Sequence, residues 1–244
     1  MAVFVLVHGA WHGGWCWAQT AAALRERGHE VHTPTLTGVG ERSHLLSADI
    51  VPDTHVADIV QTLKWRSLEE VILVGHSYGG MVITGVAGQC PERLRALVYL
   101  DAFVPERSGE ALFATANPER MAGFQAQMDA GAVGLEPDAA LMTWAEDPDL
   151  RAWIAARCTP HPVGCFTHGV ALTERAQEVR HRHYMVAAKN VEAPFQGEYA
   201  RIKGTEGWTH EALPTWHDAM VEEPLLLADR LEVYAAGLSK EQGA

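Results

Sequence analysis

At 244 residues with a net charge of −12, the chain is long enough for one large domain and too acidic to track a phosphate backbone, which needs clustered Lys and Arg. Its 19 basic residues form no run longer than a pair, and no stretch of 18 or more apolar residues is present to span a bilayer, so nucleic acid and membrane are excluded as partners. A composition of 48% hydrophobic and 20% charged residues is that of an ordered globular protein.

In chain order, Val3–Val7 reads as a buried strand that runs straight into a Gly-rich loop, rather than as the longer apolar core of a secretory signal. Trp17–Arg27 reads as a helix ending at Gly28, and Glu30–Thr35 as the next strand. A polar loop through Gly38, Gly40 and Ser43 leads to a helix over Thr54–Trp65. Glu70–Gly75 is a continuous apolar strand, Gly79–Gln89 a helix and Leu94–Leu100 another strand. Short apolar runs alternating with amphipathic stretches predict a mostly parallel sheet flanked by helices.

From Pro105 to Arg180 that rhythm stops. Helical patterns over Pro118–Ala130, Pro137–Ala145 and Asp147–Arg157 predict a helical cap over residues 105–180, inserted in a core built from 1–104 and 181–244. The sheet resumes with His183–Ala188, followed by a helix near Pro194–Lys203, a strand over Trp208–Leu213 and a last helix over Pro224–Ala236. The four cysteines, Cys16, Cys90, Cys158 and Cys165, have no metal-ligand spacing and read as free thiols. The expected compartment is the cytoplasm. The oligomeric state is open between a monomer and a homodimer.

Gly75-His76-Ser77-Tyr78-Gly79 is a G-x-S-x-G pattern set between the apolar Val71–Val74 and a helical segment. A sharp strand-to-helix turn needs small residues on both sides of the Ser, so the context points to Ser77 as a nucleophile at a helix N-terminus. An attacked carbonyl then needs N–H donors for its oxyanion. The backbone N–H of Tyr78 is one, and that of Ala10, in the loop after the first strand, is the natural second. For His8 a structural role is favoured over a catalytic one. His217, in the loop between the last strand and the last helix, is the expected base. His210 competes but falls inside a strand, whereas His12, His76, His161 and His168 read as pocket, lid or surface residues. Trp11, Trp208 and Trp216 lie near motif loops and suggest an apolar, aromatic pocket.

At these motifs the chain resembles the plant-type methylesterase and hydroxynitrile lyase group of α/β-hydrolases. Val5–Trp15, Val71–Met81, Leu97–Pro105 and His217–Met220 carry the resemblance. It implies the α/β-hydrolase fold and a cofactor-free esterase or lactonase acting on a small, apolar or aromatic molecule. The lyases of this group carry Thr where this chain has Gly9, and Lys after the catalytic His where this chain has Asp218, which disfavours cyanohydrin cleavage. Relatives place the triad acid at the position of Asn190, and an amide cannot stabilise an imidazolium by charge.

Asp101 is therefore the expected acid, with Glu192 the second candidate. Asp101 ends the strand beside that of Ser77, and neighbouring strands lie about 5 Å apart. Haloalkane dehalogenases and a resorcylic-lactone hydrolase branch are similar in taking their acid from this strand end.

Overall fold

The computed structural model describes residues 1–115, 118–137, 145–189 and 195–241. Its main sheet is built from β1 (Val3–Val7), β2 (Glu30–His32), β3 (Val71–His76), β4 (Leu94–Leu100), β7 (His181–Ala187) and β8 (Trp208–Leu213). The strands are parallel and lie in the order β2-β1-β3-β4-β7-β8. Strands covered on both faces need apolar residues at every position. Every residue of β3 is buried.

Because successive strand side chains point to opposite faces, the same strands feed two cores. Val5, Val7, Val71, Leu73, Leu97 and Tyr99 pack on one face with helices α2 (Pro52–Trp65) and α3 (Gly79–Gln89). Phe4, Leu6, Ile72, Val74, Val98 and Leu100 pack on the other with α1 (Ala18–Glu26) and α9 (Pro224–Glu241). Each fully buried aliphatic side chain contributes about 1.5–3 kcal/mol of transfer free energy.

The strand order reverses at β1. The chain leaves β1 for β2 on one side and returns to β3 on the other, which opens a crevice beyond the carboxyl ends of β1 and β3. The loops after Val7 and His76 therefore meet at one place, and both carry predicted site residues.

Between 105 and 180, α4 (Pro118–Asp129), α5 (Pro148–Ala155) and the short α6 (Gly164–Thr167) replace sheet strands among the described residues. The sequence pattern missed a two-stranded antiparallel ladder, β5 (Gly134–Leu135) with β6 (His161–Pro162). Two-residue strands leave no periodicity to read. Most of the helix expected over 137–145 lies outside the described residues. Farther on come α7 (Gln196–Ile202) and the single turn α8 (Ala219–Glu222). All four cysteines are free thiols. No helix among the described residues is long and apolar enough to cross a membrane.

Candidate active site

Ser77 sits between β3 and α3 with φ +54°, a left-handed backbone that costs an ordinary residue on the order of 1–3 kcal/mol and persists only where its surroundings enforce it. The enforcement is visible. The Ser77 N–H donates to the Leu100 carbonyl at 3.2 Å, and the Ser77 carbonyl accepts from Phe103 N–H at 3.1 Å. A Cβ on Gly75 would lie 2.6 Å from the Gly79 carbonyl oxygen, and one on Gly79 would lie 2.9 Å from the carbonyl oxygens of Val7 and His8. The two glycines of the motif are steric requirements of the turn.

The loop after β1 packs directly on this turn. A Cβ on Gly9 would come within 2.9 Å of both the Ser77 Cβ and His76 Nδ1. Ala10 follows, and Trp11 adopts φ +65°. Among the described residues no acceptor takes up the N–H of Ala10 or of Tyr78. His8 is neutral and structural: its Nδ1 donates to the Gly9 carbonyl at 2.8 Å, its Nε2 accepts from Leu36 N–H at 3.1 Å, and burial pushes its pKa down to about 3.

Asp101 ends β4 in another left-handed conformation, φ +40°. Fully buried, it anchors through its N–H to the Met185 carbonyl at 2.7 Å. Its Oδ1 accepts from Ala187 N–H at 3.3 Å, and its Oδ2 accepts from His217 Nδ1 at 2.6 Å. That contact is shorter than an ordinary N–H···O bond, the direction in which a charged acceptor shifts it. The His217 ring lies between the Phe195 ring, stacked at 5.7 Å, and the His76 ring at 4.5 Å. Of the sequence candidates for the acid, Asp101 meets His217, whereas Asn190 and Glu192 lie outside the described residues. His210 lies within β8, its Nδ1 beside the Tyr199 hydroxyl at 3.3 Å.

The remaining histidines separate cleanly. His168 is exposed. His55 donates from Nε2 to the Thr37 carbonyl at 2.8 Å, which leaves Nδ1 to accept from the Tyr78 hydroxyl at 2.9 Å, and burial lowers its pKa to about 4. His161 Nδ1 accepts from Trp11 N–H at 3.3 Å, and burial drives its pKa well down. Sequence reasoning missed the contact between His12 Nε2 and Asp218 Oδ2 at 3.2 Å, both residues buried.

Two buried groups among the described residues bring metal-ligand atoms within 4.8 Å of one another, His55–His161–Cys165 and His76–His217–Asp218. Their protons argue against coordination. In the first, a neutral His161 that accepts at Nδ1 keeps its proton on Nε2, Tyr78 occupies His55 Nδ1, and burial pushes the Cys165 thiol up to about 12. In the second, Asp101 takes His217 Nδ1 and His76 Nε2 donates to the His217 carbonyl at 3.1 Å.

Beside Tyr78 and Trp11 stands a stack of rings. Phe113 lies 5.3 Å from Phe124 and 5.2 Å from Phe166, both at 16°. Trp11 packs 5.4 Å from Phe166, and its Nε1 donates to the Leu135 carbonyl at 2.8 Å. Trp208, expected near the site, instead starts β8 and packs on Tyr99 at 5.3 Å, at the opposite end of the strand from the Ser77 crevice.

Residues 4–230 match the alpha/beta hydrolase family. The chain is 43% identical over 239 residues to a carbendazim hydrolyzing esterase of a Nocardioides species, covering 95% of this chain and 98% of that one. It is 40% identical over 104 residues to an alpha-hydroxynitrile lyase of Arabidopsis thaliana, covering 42% and 40% of the two chains. An extracellular alpha/beta-hydrolase from a Paenibacillus species, described as sharing homology with tobacco salicylic acid binding protein 2, superposes with a TM-score of 0.84 at 24% identity, over 95% of this chain and 98% of that one.

Proposed function

The chain belongs to the alpha/beta hydrolase family, and on that premise we propose that it hydrolyses a carboxylic ester or lactone of a small apolar or aromatic substrate through an acyl-enzyme on Ser77. The observation that carries this reading is the 2.6 Å bond from His217 Nδ1 to the buried Asp101 carboxylate, in the crevice that also holds the strained Ser77.

His217 takes the Ser77 hydroxyl proton on Nε2 as Oγ attacks the carbonyl carbon. Asp101 holds the ring in the tautomer that leaves Nε2 basic and stabilises the imidazolium that forms. The oxyanion is held by the N–H groups of Ala10 and Tyr78, each worth roughly 3–4 kcal/mol of transition-state stabilisation. The tetrahedral adduct collapses, His217 returns the proton to the leaving alcohol, and water activated by the same base releases the acid. Residues 105–180 act as the lid that excludes water and sets substrate choice. The ring stack of Trp11, Phe113, Phe124 and Phe166, joined to Tyr78 through the His161 ring, supports an aromatic substrate. Four free thiols support a reducing, cytoplasmic setting.

Cyanohydrin cleavage is the weaker reading. The lyase-like substitution Gly9→Thr would drive its new side chain into Ser77 and His76. The residue after His217 is a buried carboxylate, which supplies no positive charge to a cyanide leaving group.

A screen of aryl, methyl and lactone substrates with product analysis tests the proposal. Acid and alcohol should appear in equal amounts, or a single hydroxy acid from a lactone. A folded Ser77→Ala enzyme that retains more than about a thousandth of the wild-type turnover would sink the nucleophile assignment.

A further inference from the structure

We propose that His12 and Asp218 form a buried ion pair that positions the oxyanion loop against the loop carrying His217. This inference rests on the roles given above to Ala10 and His217. It adds a positioning pair that neither role requires.

Proton counting on the His12 ring comes first. Its Nδ1 lies 2.7 Å from the Ala10 carbonyl oxygen. A carbonyl only accepts, so Nδ1 carries a proton. Its Nε2 lies 3.2 Å from Asp218 Oδ2. An ionised carboxylate also only accepts, so Nε2 carries a proton too. A ring that donates from both nitrogens is an imidazolium.

The alternative is a neutral ring accepting from a protonated Asp218. The electrostatics disfavour it. Burial alone would lower the pKa of His12, but the charge and hydrogen bond of Asp218 raise it above the ordinary value. Burial would raise the Asp218 pKa, but the charge and hydrogen bond of His12 bring it down to about 2.

Glu41 apart, the groups that face the pair, His76, His8, His161, Cys16 and Cys158, carry no charge. His76, edge-on to His12 at 6.2 Å and with Nε2 3.8 Å from Asp218 Oδ1, is kept neutral by burial and by His217. His8 and His161 face His12 and are held neutral by burial. The thiols of Cys16 and Cys158 face Asp218; burial and that carboxylate push the first well up and the second to about 12. Glu41 approaches the same loop at Gly13. Trp15 stacks on the His12 ring at 5.2 Å and 22°, a cation–π geometry.

The connectivity gives the pair its use. His12 grips the carbonyl of Ala10, whose N–H is the proposed oxyanion donor. Asp218 directly follows His217, and its carbonyl accepts from Val221 and Glu222 N–H at 2.8 and 2.9 Å to start α8. One ion pair therefore ties together two loops whose residues are 206 positions apart. A misplacement of either loop by a fraction of an ångström would weaken transition-state binding more than substrate binding.

The test combines ring protonation with kinetics. Nitrogen NMR of ¹⁵N-histidine-labelled enzyme, with His12 assigned through His12→Gln, should show both His12 nitrogens protonated at pH 7, where an unpaired histidine is mostly neutral. In Asp218→Asn the ring should become neutral at that pH. The kcat of this variant should fall about 10- to 100-fold, with KM within about threefold. His12→Gln with Asp218→Asn should be no slower than the worse single variant, because the two residues act as one unit.

A neutral His12 in the wild-type enzyme at pH 7, or multiplicative kinetic effects in the double variant, would overturn the proposal. If Asp218→Asn does not fold, the wild-type spectrum decides. The spectrum is independent of Ser77 chemistry and should be the same in Ser77→Ala. Turnover surviving in Ser77→Ala would therefore count against the hydrolase reading and leave this one standing.

Discussion

Two carboxylate–imidazole pairs lie at the same end of the sheet, and they are built for opposite purposes. Asp101 and His217 meet at 2.6 Å, and His12 and Asp218 at 3.2 Å, with all four residues buried. The first pair hangs on a strained strand end, where Asp101 spends its other oxygen on Ala187 N–H. In the proposed mechanism its ring uses Nδ1 for orientation and Nε2 for proton transfer. The second ring faces acceptors at both nitrogens, so any proton it gave up would leave a buried contact unmade. Identical side chains thus serve as a shuttle or as a clamp according to what the second nitrogen faces.

The comparison can be broken most severely at Asp101. Asp101→Asn should lower kcat by about 10⁴ while leaving the fold intact, because the amide favours the wrong His217 tautomer and cannot offset the imidazolium. Steady-state kinetics on the purified variant check it. Asp218→Asn is the intermediate case, about 10- to 100-fold, since it removes a positioning charge and no reacting group.

Stability against pH separates the charged ring from the neutral ones. His8 and His55 have folded pKa values of about 3 and 4, below the unfolded value of 6.5, so the unfolded chain binds more protons at acid pH. Their contribution is complete above pH 6.5 and is lost as the pH falls toward 4 and 3, on the order of several kcal/mol in all. His12 has the opposite sign, because its folded pKa is raised. The stabilisation it brings is complete below pH 6.5 and fades as the pH rises through its folded value. Urea unfolding from pH 4 to 9 should show wild-type stability climbing to pH 6.5, with the deficit of His12→Gln shrinking above that. The smallest effect is expected at Asn190, where replacement by Ala should change kcat less than about threefold.

Much of this arrangement was legible in the sequence because it is local. The strands Val3–Val7, Leu94–Leu100 and Trp208–Leu213 and the helix Gly79–Gln89 have the bounds expected from continuous apolar runs and flanking glycines. Ser77 was readable from the turn sterics around it, and Asp101 from its place on the neighbouring strand. The expected β2 ran three residues too far, because Thr35 leaves the sheet to accept the Gly14 N–H through its hydroxyl at 2.7 Å. The helix α2 starts two residues early, with Pro52 at its first position and the Thr54 hydroxyl accepting from Val51 N–H. The His12–Asp218 pair was invisible because its partners are 206 residues apart and no spacing rule connects them. Trp208 was misplaced because nearness to a motif in sequence says nothing about which end of a strand a side chain occupies.

The central claim is that Asp101 and His217 activate Ser77, and covalent trapping tests it most directly. Wild-type enzyme treated with a fluorophosphonate and analysed by peptide mass spectrometry should carry one adduct, on Ser77. The rate of its formation should fall by orders of magnitude in Asp101→Asn. An adduct on another residue, or equal labelling rates in the two proteins, would contradict the account.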